Sequence, residues 1–479
     1  MLIKDFDSLK KFFRKIKRHI FGAGVYAFNR LGLEDFIPDY RILSLYFSEE
    51  TKLIQEDIPV FCLEKKIKKR LQPRNSSTLL SHLKTQNYIS EFQEPLILLY
   101  KSSKRIEKVA RRCQFEPAIS PYRFGKQLFE NKIKFRKILH KIKVQPTPGK
   151  ILSSSLIHSL RFSELEKEFG LPFVLQHPKK GGGKGTFFIR NENDFRRAIE
   201  SVEENPVEKI IVTKFINGPS PSITGCVTKF GVLSTRPQYQ ICDIPILYSR
   251  PVGSGLFCGH DWSAANFSKS ILSQAKEIVE KVGHYFKKLD YRGIFGIDFV
   301  QDPKEEKLYV TECNPRLLGS MPTLTMVELD KGIPPIISFH ILEYLKIPYD
   351  INIKKILELL WQKREGAQMI LHSPLKNETI QKGKVQPGIY ITATSKRQIA
   401  RSKLEFLRAG YKFSHLENED EFLLTEGLQK KGAKIGPYQR LTRILSQKRV
   451  LDDSLKDITP ETKDFIRSLL KKFKITKDL

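Results

Sequence analysis

The chain has 479 residues, a net charge of +30, 40% hydrophobic and 28% charged residues. That composition excludes a wholly disordered chain and suits roughly three folded domains. No stretch reaches the ~20 apolar residues of a membrane helix, no apolar leader precedes a cleavage site, and the 6 cysteines are scattered without a C-x-x-C pair. A reduced, cytoplasmic protein without a disulfide framework or zinc knuckle is expected.

The excess charge is uneven. Residues 51–150 and 351–479 carry most of it, and residues 151–350 are close to neutral. Such flanks attract an anionic surface or polyanion, although no RNP pattern, zinc finger or helix-turn-helix accompanies them.

In chain order, Phe6, Leu9, Phe13, Ile16 and Ile20 recur at helical spacing with lysines and arginines between them. This predicts a basic amphipathic helix that either packs on its own domain or lies on an anionic membrane. Short apolar runs at 41–47, 58–63 and 95–100 alternate with helical patterns, which predicts a small parallel α/β domain over residues 1–120. Pro146-Thr147-Pro148-Gly149 marks a turn after a helix over residues 131–143. From about residue 346 the pattern is mixed, punctuated by Gly366, Gly383, Gly388 and Gly436, and it ends in a basic helix from Pro460.

The chemistry concentrates between these flanks. Over residues 291–320, Phe295, Ile297 and Phe299 alternate with Gly296, Asp298 and Val300. After a polar connection containing Pro303, Leu308, Val310, Glu312 and Asn314 alternate in turn. A hairpin with Val300 opposite Val310 places Asp298, Glu312 and Asn314 on one face; a one-residue slip would separate them. Three oxygen ligands on adjacent strands suit Mg²⁺, which takes one or two carboxylates plus substrate phosphates. Arg316 adds a positive charge beside them. A second segment runs from an apolar strand through Gly181-Gly182-Gly183-Lys184-Gly185 into another apolar strand. Glycines let backbone N–H groups approach phosphate closely, but the spacing and the strand that follows are not those of a P-loop.

In this order the residues resemble the ATP-grasp superfamily, from Asn131-Lys132 through the glycine hairpin and residues 211–218 to the Asp298 and Glu312-x-Asn314-x-Arg316 segment. The resemblance covers roughly residues 120–345. It implies an α/β and α+β architecture: a pre-grasp α/β domain (1–120), a grasp core of two α+β subdomains clamping ATP (121–345), and a C-terminal mixed α/β domain (346–479). By position, Lys132, Gln176, the Gly181, Gly182, Gly183, Lys184 and Gly185 lid, and Thr213, Lys214, Phe215 and Ile216 at the adenine side would bind ATP. Asp298, Glu312 and Asn314 would hold Mg²⁺ or Mn²⁺, and Lys132 and Arg316 would act in catalysis. Three features depart from the pattern: Gln176 stands where a second ATP lysine is expected, Thr213 where an acidic residue precedes the hinge, and no ribose-side glutamate is visible after Gly218 in GPSPS.

The resemblance implies an ATP-dependent ligase that activates a carboxylate, of an amino acid or peptide, as an acyl phosphate and passes it to an amine. Arg250, Arg236 and Gln240 are the candidate substrate contacts, with His260 and Asp261 nearby, and a homodimer is allowed. Biotin-carboxylase-like or carbamoyl-phosphate-type chemistry is an alternative from the same layout. A non-catalytic ATP-binding protein that uses its basic flanks is another.

Overall fold

A computed structural model describes residues 1–155, 160–183, 185–248, 255–393 and 403–475. The first layer is a five-stranded, all-parallel sheet in the order Val60–Cys62, Arg41–Ser44, Ile20–Gly24, Leu96–Leu99, Glu116–Ala118. Helices cover both faces of such a sheet, so its strands read as continuous apolar runs; every residue of Leu96–Leu99 is buried. The chain order reverses across Ile20–Gly24, and residues just past the strand ends at such a reversal face a crevice. Tyr100 and Lys101 follow one of those ends.

The amphipathic pattern at the N-terminus forms the helix Phe6–Phe13, capped by Asp5, which accepts a hydrogen bond from the Ser8 backbone N–H at 2.9 Å. Leu9 and Phe13 are fully buried. Just before the helix, Leu2–Ile3 pairs in parallel with Asp350–Ile351. The apolar stripe of the helix is therefore committed to the core, and this segment ties residues 2–3 to residues 350–351.

The second layer is a four-stranded antiparallel sheet in the order Gly149–Ser153, Lys209–Lys214, Phe173–Gln176, Thr186–Ile189. Strand alternation divides its residues cleanly. Phe173, Leu175, Phe187, Ile189, Ile210 and Val212 bury against the helices Phe162–Phe169 and Glu192–Glu203 in a small core of their own. Val174, Gln176, Thr186, Phe188 and Thr213 turn the other way.

The third layer is a long sheet with strands on both sides of residue 345. From Lys307–Asn314 it passes through Gly293–Asp302, Pro221–Thr228, Gln238–Cys242 and Phe257–Asp261. It then continues into Ala367–His372, Arg440–Ser446 and the remaining strands of residues 346–479. The core and the C-terminal part thus share one hydrogen-bonded sheet.

The Asp298 hairpin carries an irregularity that the alternation does not reveal. Asp298 pairs with Glu312 and Gly296 with Asn314, as the one-face register requires, but Phe299 pairs with Val310 and Val300 with Tyr309. Thr311 is the extra residue of a β-bulge, and its hydroxyl donates to the Asp298 carbonyl at 3.0 Å. The one-residue slip exists, confined to the outer half of the hairpin.

Candidate functional site

Between the four-stranded sheet and the long sheet lies a cavity of about 540 Å³. Its floor is the inner half of the Asp298 hairpin. Asp298 accepts from Gln240 Nε2 at 2.6 Å and from Asn314 Nδ2 at 2.9 Å. Glu312 Oε2 accepts from Lys132 Nζ at 2.6 Å, and the same ammonium donates to the Lys180 carbonyl at 3.2 Å. Asn131 caps the helix Lys132–Lys141, its side chain accepting from the backbone N–H groups of Ile133 and Lys134 at 3.1 Å. That cap fixes where Lys132 leaves the helix. The Lys132 side chain is 8% exposed and that of Glu312 30%, so the cation is enclosed while the carboxylate stays reachable from the cavity.

The two carboxyl groups do not titrate alike. Burial pushes Asp298 well above the usual carboxylate range, reinforced by the charge of Glu312. Burial acts on Glu312 in the same sense, but the charge and hydrogen bond of Lys132 prevail and hold it down at about 2. The pair is thus set apart, with Asp298 the weaker acid of the two. Two carboxyl groups on neighbouring strands beside one ammonium are a fitting seat for a divalent cation. Among the described residues no group of three His, Cys, Asp or Glu side chains could hold a metal. Asp298 and Glu312 are therefore the carboxylate ligands on offer, and phosphate oxygens would have to complete the shell. Asn314, the third expected ligand, has its amide N–H on Asp298 and its carbonyl accepting from Arg316 at 2.6 Å.

Arg316 is held from four sides. Besides Asn314, it donates to the Tyr100 hydroxyl at 2.5 Å, lies over the Tyr100 ring at 4.7 Å, and faces Glu130 at 3.4 Å. Glu130 also receives Lys101 at 3.0 Å. Burial works against its charge, but Tyr100 and Glu130 keep the guanidinium's pKa raised. The cation is locked in place and points along the cavity floor.

The roof comes from the four-stranded sheet. Val174, Gln176, Thr186, Phe188, Thr213, Lys214, Phe215 and Ile216 all line the cavity, as do Gly182 and Gly183 of the glycine hairpin. These two glycines have φ of +65° and +74°, which side chains resist. Gln176 Nε2 reaches Thr186 Oγ1 at 3.4 Å. Gly181 and Gly185 complete the turn beside these; a Cβ on Gly185 would lie 2.5 Å from the Lys180 side chain.

Of the proposed substrate contacts, Gln240 sits on the cavity floor bound to Asp298. Arg236 does not reach it; it lines a separate void of about 10 Å³ beside Trp262 and Arg364. Asp261 is a structural staple, accepting from the backbone N–H groups of Ala264, Val450 and Leu451. His260 borders the cavity. Lys184 and Arg250 lie outside the described residues. Tyr100, Lys101 and Glu130 escaped the sequence reading. Their one signal was position, at a strand end and at a helix entry, which says nothing of which arginine they meet. Lys456 escaped it too: it bonds Asn217 Oδ1 at 2.7 Å and brings the C-terminal part to the cavity rim.

Comparison with known proteins bears on the region that lines the cavity. Residues 129–320 match the family model of the ATP-grasp domain. The chain carries an ATP-grasp domain. Among curated proteins it is 23% identical over 233 residues to a [butirosin acyl-carrier protein]–L-glutamate ligase of Niallia circulans, covering 48% of this chain and 53% of that one. It is 23% identical over 189 residues to a D-alanine–D-alanine ligase of Petrotoga mobilis, covering 36% and 58%. The chain thus spans little more than half the length of these relatives. The ATP-grasp fold extends further than these alignments. A biotin carboxylase of Campylobacter jejuni superposes with a TM-score of 0.57 at 15% identity over 95% of both chains. An L-amino acid ligase of Bacillus licheniformis gives 0.55 at 14%, covering 96% of this chain and 98% of that one.

Proposed function

We propose that this ATP-grasp protein is an ATP-dependent carboxylate–amine ligase acting on an amino acid or peptide carboxylate. The observation that carries the reading is the floor of the cavity. The cross-strand carboxyls of Asp298 and Glu312, the enclosed ammonium of Lys132 and the clamped guanidinium of Arg316 all face one space beneath a glycine hairpin.

In this reading ATP lies between the two sheets. Val174, Phe188 and Phe215 give the base an apolar bed, Thr213, Lys214 and Ile216 border it, and backbone N–H groups of Gly182 and Gly183 approach the phosphates. Asp298 and Glu312, with Asn314 beside them, would hold Mg²⁺, which would supply charge neutralisation at the phosphates. Asn314 keeps Asp298 and Arg316 in register. Lys132 is placed to pair with the phosphates, and Arg316 to offset charge on the transferring phosphoryl group or on the adduct with the amine. The chemistry asked of the chain is mainly positioning and charge compensation. Closure of the glycine hairpin excludes water, which would otherwise hydrolyse the acyl phosphate. The D-alanine and L-glutamate ligases among the relatives favour an amino acid carboxylate. Gln240, on the floor beside Asp298, is the substrate contact this geometry supports best.

The test is Mg²⁺-dependent release of ADP and phosphate across pooled L-amino acids and other carboxylates, with and without added amines. Release that requires one carboxylate pool is expected. Release indifferent to every carboxylate would overturn the ligase reading.

A further inference from the structure

The polar residues of the cavity floor do not stop at the ATP-grasp core. Gln240 is the cross-strand partner of His260, and His260 of Gln368, so the three share one face of the long sheet. Gln368 belongs to the C-terminal part, as does Arg443 on the next strand.

This row fixes a proton. The Gln368 carbonyl oxygen accepts from Thr323 Oγ1 at 2.6 Å and from Arg443 Nη1. A guanidinium can only donate, so the amide cannot be turned the other way round. Arg443 is itself immobilised: its Nε pairs with Glu426 at 2.5 Å, and its Nη1 also donates to the Gly319 carbonyl at 3.3 Å. Glu426 is further held by Arg440 and by Asn29. With its oxygen committed, the Gln368 amide can only donate to His260 Nδ1, 3.0 Å away. Nδ1 is therefore the acceptor, and the ring proton sits on Nε2. That nitrogen has no partner among the described residues, and the ring borders the cavity. Burial, assisted by the charge of Arg443, holds the imidazole down at about 3, so it does not acquire a second proton near neutrality. Phe257 at 4.9 Å and Trp262 at 5.8 Å pack against the ring and keep it from swivelling.

We propose that His260 is a fixed hydrogen-bond donor of the substrate site, its Nε2–H oriented by the Glu426–Arg443–Gln368 chain of the C-terminal part toward an acceptor oxygen of the carboxylate substrate. The acceptor's identity rests on the ligase reading; the tautomer does not. A donor that cannot ionise, beside the apolar Phe257 and Leu318, selects a carbonyl or carboxylate oxygen over an amine at this point of the cavity. Gln368 and Arg443 act as positioning residues, since neither lines the cavity.

The test has two independent arms on the full-length protein. Long-range proton–nitrogen NMR of the imidazoles, with His260 assigned by the signal lost in His260→Gln, should show the Nε2–H pattern. Gln368→Glu, whose carboxylate accepts where the amide donated, should move the proton to Nδ1. A Nδ1–H pattern in the unmodified protein, or no change in Gln368→Glu, overturns the proposal. In the kinetic arm, His260→Leu should raise KM for the L-amino acid that supports turnover by about tenfold and leave KM for ATP near its original value. Equal effects on both, or none, overturn the acceptor role. Absence of ADP release from the unmodified protein with every L-amino acid, alongside an intact Nε2–H pattern, would sink the ligase reading and the substrate assignment together and leave the relay standing.

Discussion

Two clusters of carboxylates and cations are buried at opposite ends of one row of polar side chains, and they are built on opposite plans. Around Glu426 there is a surplus of donors: Arg440, Arg443 and Asn29 all converge on one carboxylate. Burial opposes its charge, yet the two guanidinium groups win and hold Glu426 down at about 2. Around Asp298 and Glu312 there is a deficit. Two carboxyl groups face one ammonium, while Arg316 is bound to Asn314, Tyr100 and Glu130. The first cluster has its one carboxylate saturated by donors; the second has more carboxyl groups than cations paired to them, and it borders a cavity. Carboxylates are over-supplied with cations where they support structure and under-supplied where a ligand has room to arrive.

The largest expected effect separates the two plans by activity. Glu312→Ala should lower Mg²⁺–ATP turnover by ~10³-fold, with a melting temperature close to that of the unmodified protein. Unaltered phosphate release would remove the carboxylate pair from the site. Glu426→Gln should do the reverse in kind and cost about 3–5 kcal/mol in urea unfolding, because the buried guanidinium of Arg443 and the partly exposed one of Arg440 lose their counter-charge. A loss below ~1 kcal/mol would mean that this cluster is not the support it looks to be.

Glu50 sharpens the contrast through pH. Its Oε1 accepts from the backbone N–H of Gly427 at 2.7 Å, so it sits beside the Glu426 cluster, but among the described residues no cation pairs with it. Burial pushes it up to about 7 from an ordinary 4.5. The folded protein thus holds a proton that the unfolded chain has released, and Glu50 lowers stability by about 3 kcal/mol as pH rises from 4.5 to 7. Glu426 has the opposite sign: its contribution is complete above pH 4.5 and is lost as pH falls toward 2. Urea midpoints across pH 4.5–7 should decline in the unmodified protein and flatten in Glu50→Gln. An unchanged slope in that variant would assign the decline elsewhere.

The smallest effect concerns the roof. Gln176→Lys places a cation where the family's pattern has one, and it should lower KM for ATP by about tenfold through a charge-assisted phosphate contact. An unchanged KM would show that Lys132 and the hairpin already satisfy the phosphates.

Much of this was legible in the residues themselves. Strand alternation put Asp298, Glu312 and Asn314 on one face, and the bulge at Thr311 left the inner half of that register as expected. The glycine run marked the hairpin because only glycine adopts the φ of residues 182 and 183 freely. The apolar stripe of the N-terminal helix was equally plain, but a stripe cannot say whether it meets protein or lipid; burial of Leu9 and Phe13 answered that.

What the sequence determined by itself is what depends on neighbours a few residues apart: strand period, caps, turns and the motif order of an ATP-grasp domain. What the tertiary structure decided depends on residues far apart in the chain. It brought Tyr100 and Glu130 to Arg316, moved Arg236 away from the cavity, and ran one sheet from the core into the C-terminal part so that Arg443 and Gln368 could orient His260. Each of those contacts joins segments whose spacing along the chain carries no periodic signal. A guanidinium, an amide or an imidazole is equally at home on a surface, and only a shared sheet gave these a common face.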